Sequence, residues 1–320
     1  MNPKYVIGID LGGTFIKGGA VLKDGEIISR SKKESGAKMG PHQPVINILM
    51  AAEQLWQNIG YPPEAVGFGI PGGISYEKGI VAESPHFPDW INFDLKSSLQ
   101  EELKVPFVID NDANAAAIGE GWLGAGRDVR NFCCITLGTG IGGGIVLNGV
   151  IWRGHLGMAG EVGHITVEPE GLPCACGGRG CLEVYSSATG IVKMAYEKYC
   201  NGDVSKRLRD ITKGDPGNIT PELLCRLAKE GDSLTKSIFG KMGKYLGIGF
   251  ANLINILNLE LIILGGGLLP AWEFFIEEAF SQMKMRTYKI PGERVQIVRA
   301  KCGNDAGLLG SAYMAWKGAT

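Results

Sequence analysis

Tyr5–Ile27 reads YVIGIDLGGTFIKGGAVLKDGEI: an apolar run, a Gly-Gly turn, a second apolar run, and an Asp24-Gly25 turn into a third. Apolar and β-branched runs punctuated in this way predict strand, turn, strand, turn, strand. The chain repeats the pattern in Phe132–Ile151, FCCITLGTGIGGGIVLNGVI. With one gap, Leu11-Gly12 falls on Leu137-Gly138, Gly18-Gly19-Ala20-Val21 on Gly144-Ile145-Val146-Leu147, and Asp24-Gly25 on Asn148-Gly149. Self-similarity at such long separation predicts a duplicated domain, because a short-period array would recur every few tens of residues.

Helix and strand candidates alternate behind each unit. Val45–Asn58 and Leu95–Leu103 have amphipathic helical spacing, whereas Ala65–Ile70 and Pro106–Asp110 read as strands. Further on, Thr220 caps a helix with Pro221 at its first position, Leu234–Leu257 is a long helix, and Leu259–Leu264 is a strand ending in Gly265-Gly266-Gly267. A strand near Arg294–Arg299 and a helix near Ala306–Trp316 close the chain. Such alternation predicts α/β domains built on sheets. Cys200–Asn218, with mixed charge and Pro216-Gly217, reads as a connection or a helical excursion.

The 320 residues are 45% hydrophobic with a net charge of −1, which suits about two domains with substantial cores. No Lys/Arg cluster supplies the concentrated positive charge that a nucleic-acid surface requires. No signal peptide precedes the first strand, and Cys133, Cys134, Cys200, Cys225 and Cys302 lack the spacing of a disulfide framework, so a cytoplasmic location is expected. Asn131–Trp152 is uncharged and long enough for a bilayer. Six of its 22 residues are glycine, however, and an Asn-Gly turn divides it, so a hairpin is predicted and no membrane partner.

The first turn, Asp10-Leu-Gly-Gly-Thr-Phe-Ile-Lys17, has the makings of a phosphate clamp. Gly12 and Gly13 let backbone N–H groups approach an anion, Thr14 offers a hydroxyl, and Asp10 can hold Mg²⁺ through water. Gly138-Thr139-Gly140 is its second copy, and Gly265-Gly266-Gly267 makes a third loop where a nucleoside can lie against bare backbone. Gly138-x-Gly140-x-x-Gly143 also fits the dinucleotide fingerprint, but that pattern needs a helix next and Ile145–Gly149 reads as strand and turn. No P-loop motif is present. Asn111-Asp112-Ala-Asn114 follows a predicted strand, where ligands of α/β sheets bind. Asp112 there is either a general base or, like Asn114, a helix cap.

Residues 161–183, EVGHITVEPEGLPCACGGRGCLE, hold His164, Cys174, Cys176 and Cys181, a zinc ligand set of the Cys₃His type. Cys-x-Cys neighbours pair poorly and three thiols leave one over, so a disulfide is disfavoured. Reduced thiols in a loop are the alternative. Gly177, Gly178 and Gly180 allow the tight turn that returns Cys181 to the other sulfurs. Four protein ligands leave no position for a metal-bound water, so this Zn²⁺ is expected to be structural. Glu161 and Glu183 flank it.

Together, DxGGTxxK at Asp10–Lys17, Pro71-Gly72-Gly73, Asn111-Asp112, Leu137–Gly144, Glu161-x-Gly163-His164 and the Cys-x-Cys-x₄-Cys run resemble the ROK family of sugar kinases and repressors, across nearly the whole chain. The resemblance implies a two-domain actin-like ATPase (ribonuclease H-like) fold with an inserted zinc loop, and ATP and a sugar meeting with Mg²⁺ between the domains. The corresponding division is 1–120 plus about 303–320, and 121–302. It also implies that Asp112 is the catalytic base and that Gly72, Asn111, Glu161, His164 and Glu183 contact sugar hydroxyls. His164 then binds zinc through one ring nitrogen and sugar through the other. A homodimer or homotetramer is implied as well.

Family repressors carry a DNA-binding helix-turn-helix ahead of the first hairpin, whereas nine residues precede Asp10. With Asp10, Thr14 and Asp112 all present, the expectation is an ATP-dependent kinase phosphorylating the primary hydroxyl of a hexose. Glucose is the preferred substrate; N-acetylmannosamine, N-acetylglucosamine and fructose are alternatives, as is a non-catalytic sugar sensor. Glu83-Ser-Pro-His-Phe-Pro-Asp-Trp90 departs from the Asn-Leu-Pro-Gly-Trp pattern of relatives, with His86 where an amide is expected.

Overall fold

The structure, a computed structural model, describes residues 2–318. In chain order the first half runs β1 (Val6–Leu11), β2 (Phe15–Val21), β3 (Ile27–Glu34), α1 (Gln43–Ile59), β4 (Val66–Ile70), β5 (Gly73–Ser75), β6 (Ile80–Glu83), β7 (Phe93–Asp94), α2 (Leu95–Glu102), β8 (Phe107–Asn111) and α3 (Asp112–Leu123). The second runs β9 (Phe132–Leu137), β10 (Ile141–Leu147), β11 (Val150–Ile151), α4 (Glu183–Ser186), α5 (Ala188–Cys200), α6 (Lys206–Ile211), α7 (Pro221–Lys229), α8 (Ser233–Leu257), β12 (Leu261–Gly265), α9 (Trp272–Lys284), α10 (Lys289–Arg294), β13 (Gln296–Arg299) and α11 (Ala306–Gly318). This is a mixed α/β fold.

The duplication is visible in the sheets. One has the strand order β3-β2-β1-β4-β8 and the other β11-β10-β9-β12-β13, the same topology in chain order. Each opening hairpin has a strand of 6 residues, a three-residue turn and a strand of 7. By compactness the chain forms two units, one comprising residues up to Cys134, Gly143–Gly160 and from Ala300 onward, the other Ile135–Gly142 and Glu161–Arg299.

In the first unit, β1 runs antiparallel to β2 and parallel to β4. Its side chains alternate between faces. Ile7, Ile9 and Leu11 join Val45, Ile48, Ala52 and Leu55 of α1 in one core, and Val6 joins Leu308, Leu309 and Ala312 of α11 in another. The apolar spacing of α1 is helical, and Gly60 ends it with φ 88° and an N–H bonded to the Trp56 carbonyl. Glycines let α11 approach β4 and α3 closely. A Cβ on Gly67 would lie 1.9 Å from the Ser311 carbonyl oxygen, and one on Gly310 1.7 Å from that of Ala115.

These contacts leave no flexible atom to yield. Gly67→Ala is therefore expected to lift α11 off β4 and destabilise the protein by about 3 kcal/mol or more, seen as a lower melting temperature. A wild-type melting curve would show that the contact relaxes freely.

Of the two readings of residues 200–218, the helical one holds for Lys206–Ile211, α6, capped by Ser205. Most other boundaries shift by one or two residues, and two of the shifts have a visible cause. The last strand begins at Gln296 because α10 occupies the preceding segment. The helix after β8 starts at Asp112, ahead of the alanine run, because Asn111 caps it. Residues 131–152 lie in β9, β10 and β11, and no helix among the described residues is long and apolar enough to cross a membrane.

Candidate active site

The candidate residues divide between the two units, and each group is built separately. In the first unit, the Gly12–Thr14 turn joins β1 to β2. The Gly12 N–H bonds the Phe15 carbonyl at 2.9 Å. Buried Ser35, just past β3, fastens the turn from outside: its hydroxyl donates to the Gly13 carbonyl at 2.7 Å and its N–H to the Thr14 carbonyl at 2.9 Å. His86 packs on the same turn, its ring 2.9 Å from where a Gly13 Cβ would stand. Lys17 lies opposite Asp10 in the β1–β2 ladder and sends its ammonium to the Asn304 carbonyl at 3.3 Å.

Asp10 ends in a crowded place: a Cβ on Gly307, in the first turn of α11, would be 2.8 Å from its carboxyl carbon. Burial, reinforced by the nearby Asp112 charge and opposed by Lys17, pushes its pKa up to about 6. Folding thus raises this pKa from 3.8, so the group's contribution to stability is fully present below pH ~4 and is lost as pH rises through ~6. At neutral pH the ionised carboxylate favours a cation. Asp10→Asn is expected to melt above wild type at pH 8 without divalent cations, by up to about 3 kcal/mol, and to lose that advantage at pH 4.5. Equal differences at both pH values would refute the assignment.

The β8–α3 corner presents Asp112. Asn111 is the N-cap: its side-chain oxygen accepts from the N–H groups of Ala113 (2.8 Å) and Asn114 (3.1 Å), and its amide donates to the Gly72 carbonyl at 3.0 Å. The capping job expected of Asp112 or Asn114 thus falls to Asn111. Asp112 becomes the first helical residue, its Oδ1 2.9 Å from the Ala113 N–H, at the positive end of the helix dipole. Gly72, φ 116°, sits where a Cβ would meet the Glu83 carbonyl at 2.2 Å. The structure therefore joins Asn111 to Gly72 by a hydrogen bond and places Asp112 near enough to Asp10 for its charge to raise that carboxyl's pKa.

In the second unit the two remaining glycine loops meet. The Gly138 N–H bonds the Gly140 carbonyl (3.0 Å), the Gly138 carbonyl accepts from Ala188 N–H (2.9 Å), and Thr189 at the start of α5 donates its hydroxyl to the Thr139 carbonyl at 2.8 Å. Gly266, φ 96°, lies flat on Leu137, with the Leu268 N–H reaching the Leu137 carbonyl at 3.2 Å. Gly265 ends β12 and Gly267 has open space beside it. At the penultimate position of the hairpin's first strand, where the first copy has Asp10, this copy has Thr136.

His164 ends a short 3₁₀ turn, Val162–His164, and its N–H bonds the Glu161 carbonyl at 3.0 Å. The following loop folds back so that the Leu182 N–H meets the Ile165 carbonyl at 3.0 Å and Thr166 bridges to Cys181. Gly180 permits the return: a Cβ there would be 1.7 Å from the Glu168 carbonyl oxygen. One ligand atom from each of His164, Cys174, Cys176 and Cys181 lies within 4.8 Å of all the others. Cys174 Sγ is 3.7 Å from His164 Nδ1, and Cys176 Sγ is 3.7 Å from Cys181 Sγ. Tetrahedral zinc with Zn–S near 2.3 Å needs S···S of about 3.8 Å, so the donor set fits that ion. Nδ1 faces the sulfurs, which leaves Nε2 as the other ring nitrogen. Burial pushes the Cys181 thiol up to about 12, while the Gly178 N–H lowers Cys176. No disulfide is present among the described residues.

Glu183 opens α4 and turns toward the second glycine turn: Oε2 accepts the Ile141 N–H at 2.8 Å. It braces that turn, a link the sequence reading missed. Ser35, Asp110, Arg153 and Thr189 were missed too; of these only Ser187-Ala-Thr189 carried a local signal, Ser187 being the N-cap of α5.

A model of the ROK family matches residues 6–317. The chain is 37% identical over 320 residues to a glucokinase of Halalkalibacterium halodurans, covering 98% of this chain and 96% of the relative. It is 31% identical to a xylose repressor of Caldicellulosiruptor bescii, over 97% of this chain and 77% of that protein. Among solved structures, a ROK family glucokinase from Streptomyces griseus in complex with glucose and AMPPNP superimposes with TM-score 0.84 at 32% identity, over 98% of this chain and 100% of that one. The chain belongs to the ROK family.

Proposed function

We propose that the protein is an ATP-dependent hexose kinase with an actin-like ATPase fold, transferring the γ-phosphoryl group of ATP to the primary hydroxyl of glucose. The observation that carries this reading is the β8–α3 corner. There Asn111 does the capping and the Asp112 carboxylate stands in the first turn of α3, close enough to Asp10 for its charge to raise that carboxyl's pKa. The similarity to a glucokinase bound to glucose and an ATP analogue supports it.

In this mechanism Asp112 accepts the proton of the sugar hydroxyl as that oxygen attacks the γ-phosphorus, and the bond from phosphorus to the β–γ bridging oxygen breaks to release ADP. The Gly12–Thr14 and Gly138–Gly140 turns hold the phosphates, their Gly12 and Gly138 N–H groups being bonded within the turns, with Lys17 near the first. Asp10 would hold Mg²⁺, which supplies neutralising charge to the phosphates. The Gly265–Gly267 loop takes the nucleoside. Glu161, His164 Nε2 and Glu183 accept from sugar hydroxyls, and Gly72 and Asn111 contact the sugar. Structural Zn²⁺ held by His164, Cys174, Cys176 and Cys181 would fix the ring of His164.

The test is a panel of glucose, N-acetylmannosamine, N-acetylglucosamine and fructose with ATP and Mg²⁺ under coupled ADP detection. Glucose is expected to give the highest kcat/KM. Preference for an N-acetyl sugar would move the substrate, and tight glucose binding without ADP release would make the protein a sensor.

A further inference from the structure

We propose that a buried ion pair, Asp110 with Arg153, positions the catalytic base. The inference rests on the reading of Asp112 as that base. Asp110 is the residue before the Asn111 cap in β8, and it is fully buried. Both of its oxygens are used. Oδ1 accepts the Asn111 N–H at 2.7 Å and the Asn114 amide at 3.0 Å, while Oδ2 accepts Arg153 Nε and Nη2, each at 2.8 Å. Arg153 follows β11, lies flat on the Tyr76 ring at 3.9 Å, and its side chain is 22% exposed.

The arrangement clamps Asp112 from both sides in sequence. Asn111 and Asn114 are drawn to one carboxylate oxygen, and the first turn of α3 between them carries Asp112. A neutral acid would carry a proton on one oxygen and lose an acceptor position, so the clamp requires the ionised form. In a buried place that form requires a partner charge. Arg153 supplies it through two donors, which also set the rotation of the carboxylate. Without Arg153, the buried Asp110 carboxylate would lack a partner charge, and the base would lose its fixed direction. Misplacement of about 1 Å at a reacting group costs on the order of 100-fold in rate. Asp110 and Arg153 are thus positioning residues, acting through the backbone of the corner.

A merely structural pair makes a different prediction. Replacing both partners with apolar residues of similar size usually restores stability, because no lone charge remains buried. The full-length double variant Asp110→Leu/Arg153→Met is therefore compared with wild type in melting temperature and in steady-state kinetics with ATP and glucose, or the panel sugar that wild type turns over. The expected result is a folded protein whose melting temperature falls only by the lost acceptor of the Asn111 N–H and the Asn114 amide, kcat lower by about 10- to 100-fold, and KM for sugar and ATP within about threefold. A stable double variant with wild-type kcat would overturn the proposal and leave the pair structural. Asp110→Asn covers the case of a double variant that does not fold, since it keeps an acceptor for the Asn111 N–H but removes the charge. There too kcat should drop with KM preserved, and an unchanged kcat overturns the proposal. Wild type inactive on every sugar would remove the kinase reading itself, an outcome separate from any variant.

Discussion

Asp112→Asn is expected to lower kcat by 10² to 10⁴-fold, the range of general acid–base catalysis, while leaving the sugar KM within about threefold. The asymmetry follows from the corner's geometry. An asparagine keeps an oxygen for the Ala113 N–H, and the helix cap, the Gly72 bond and the Asp110 clamp all belong to other side chains. The proton acceptor and its charge are lost. The charge change has a second readout, because Asp112 is one of the two causes that raise Asp10. In the variant the Asp10 pKa should fall from about 6, measurable by carboxyl NMR titration and by a flatter dependence of stability on pH between ~4 and ~7. A variant turning over within tenfold of wild type would exclude Asp112 as the base.

Removing the metal is expected to produce the other large effect, on sugar binding. The loop between Ile165 and Leu182 buries Val167, Cys174 and Cys181 but exposes Cys176 through Arg179, so little apolar burial holds its tip. Zinc bound by such sets contributes folding free energy directly, on the order of 10 kcal/mol. Chelation, or Cys176→Ser, should expose the loop amides to hydrogen exchange and raise the sugar KM by about 10- to 100-fold, through loss of the His164 rotamer. The ATP KM should rise by no more than a few-fold, since Ala188 and Thr189, beyond the zinc loop, also hold the Gly138–Gly140 turn. Unchanged sugar kinetics in protein verified by metal analysis to be zinc-free would defeat this account.

Much of the fold was legible because its signals are local. The two hairpins announce themselves by glycine turns between β-branched runs, and their common dimensions follow from the shared spacing of those turns. Thr220-Pro221 marks the start of α7, and the cysteine spacing marks the ligand set, since all four donors lie in one loop. The β8–α3 corner was only half legible. Asn-Asp-Ala-Asn signals a helix start, but which of three capping residues does the work depends on side-chain direction at the strand end, which β8 sets through its pairing with β4.

The duplicated α/β plan, the glycine turns, the Cys₃His loop and the pair Asp10 and Asp112 can be read from the residues alone, since each is written within a short stretch or repeated by one. The pairings of Asp110 with Arg153 across 43 residues, of Glu183 with Ile141 across 42, and of Asn111 with Gly72 across 39 emerge only from the folded chain. So does the need for Gly67 to stay bare beneath Ser311. Such pairings depend on strand order and on which helix covers which face. Those are set by how the chain buries its apolar surface as a whole, and no local pattern of residues encodes them.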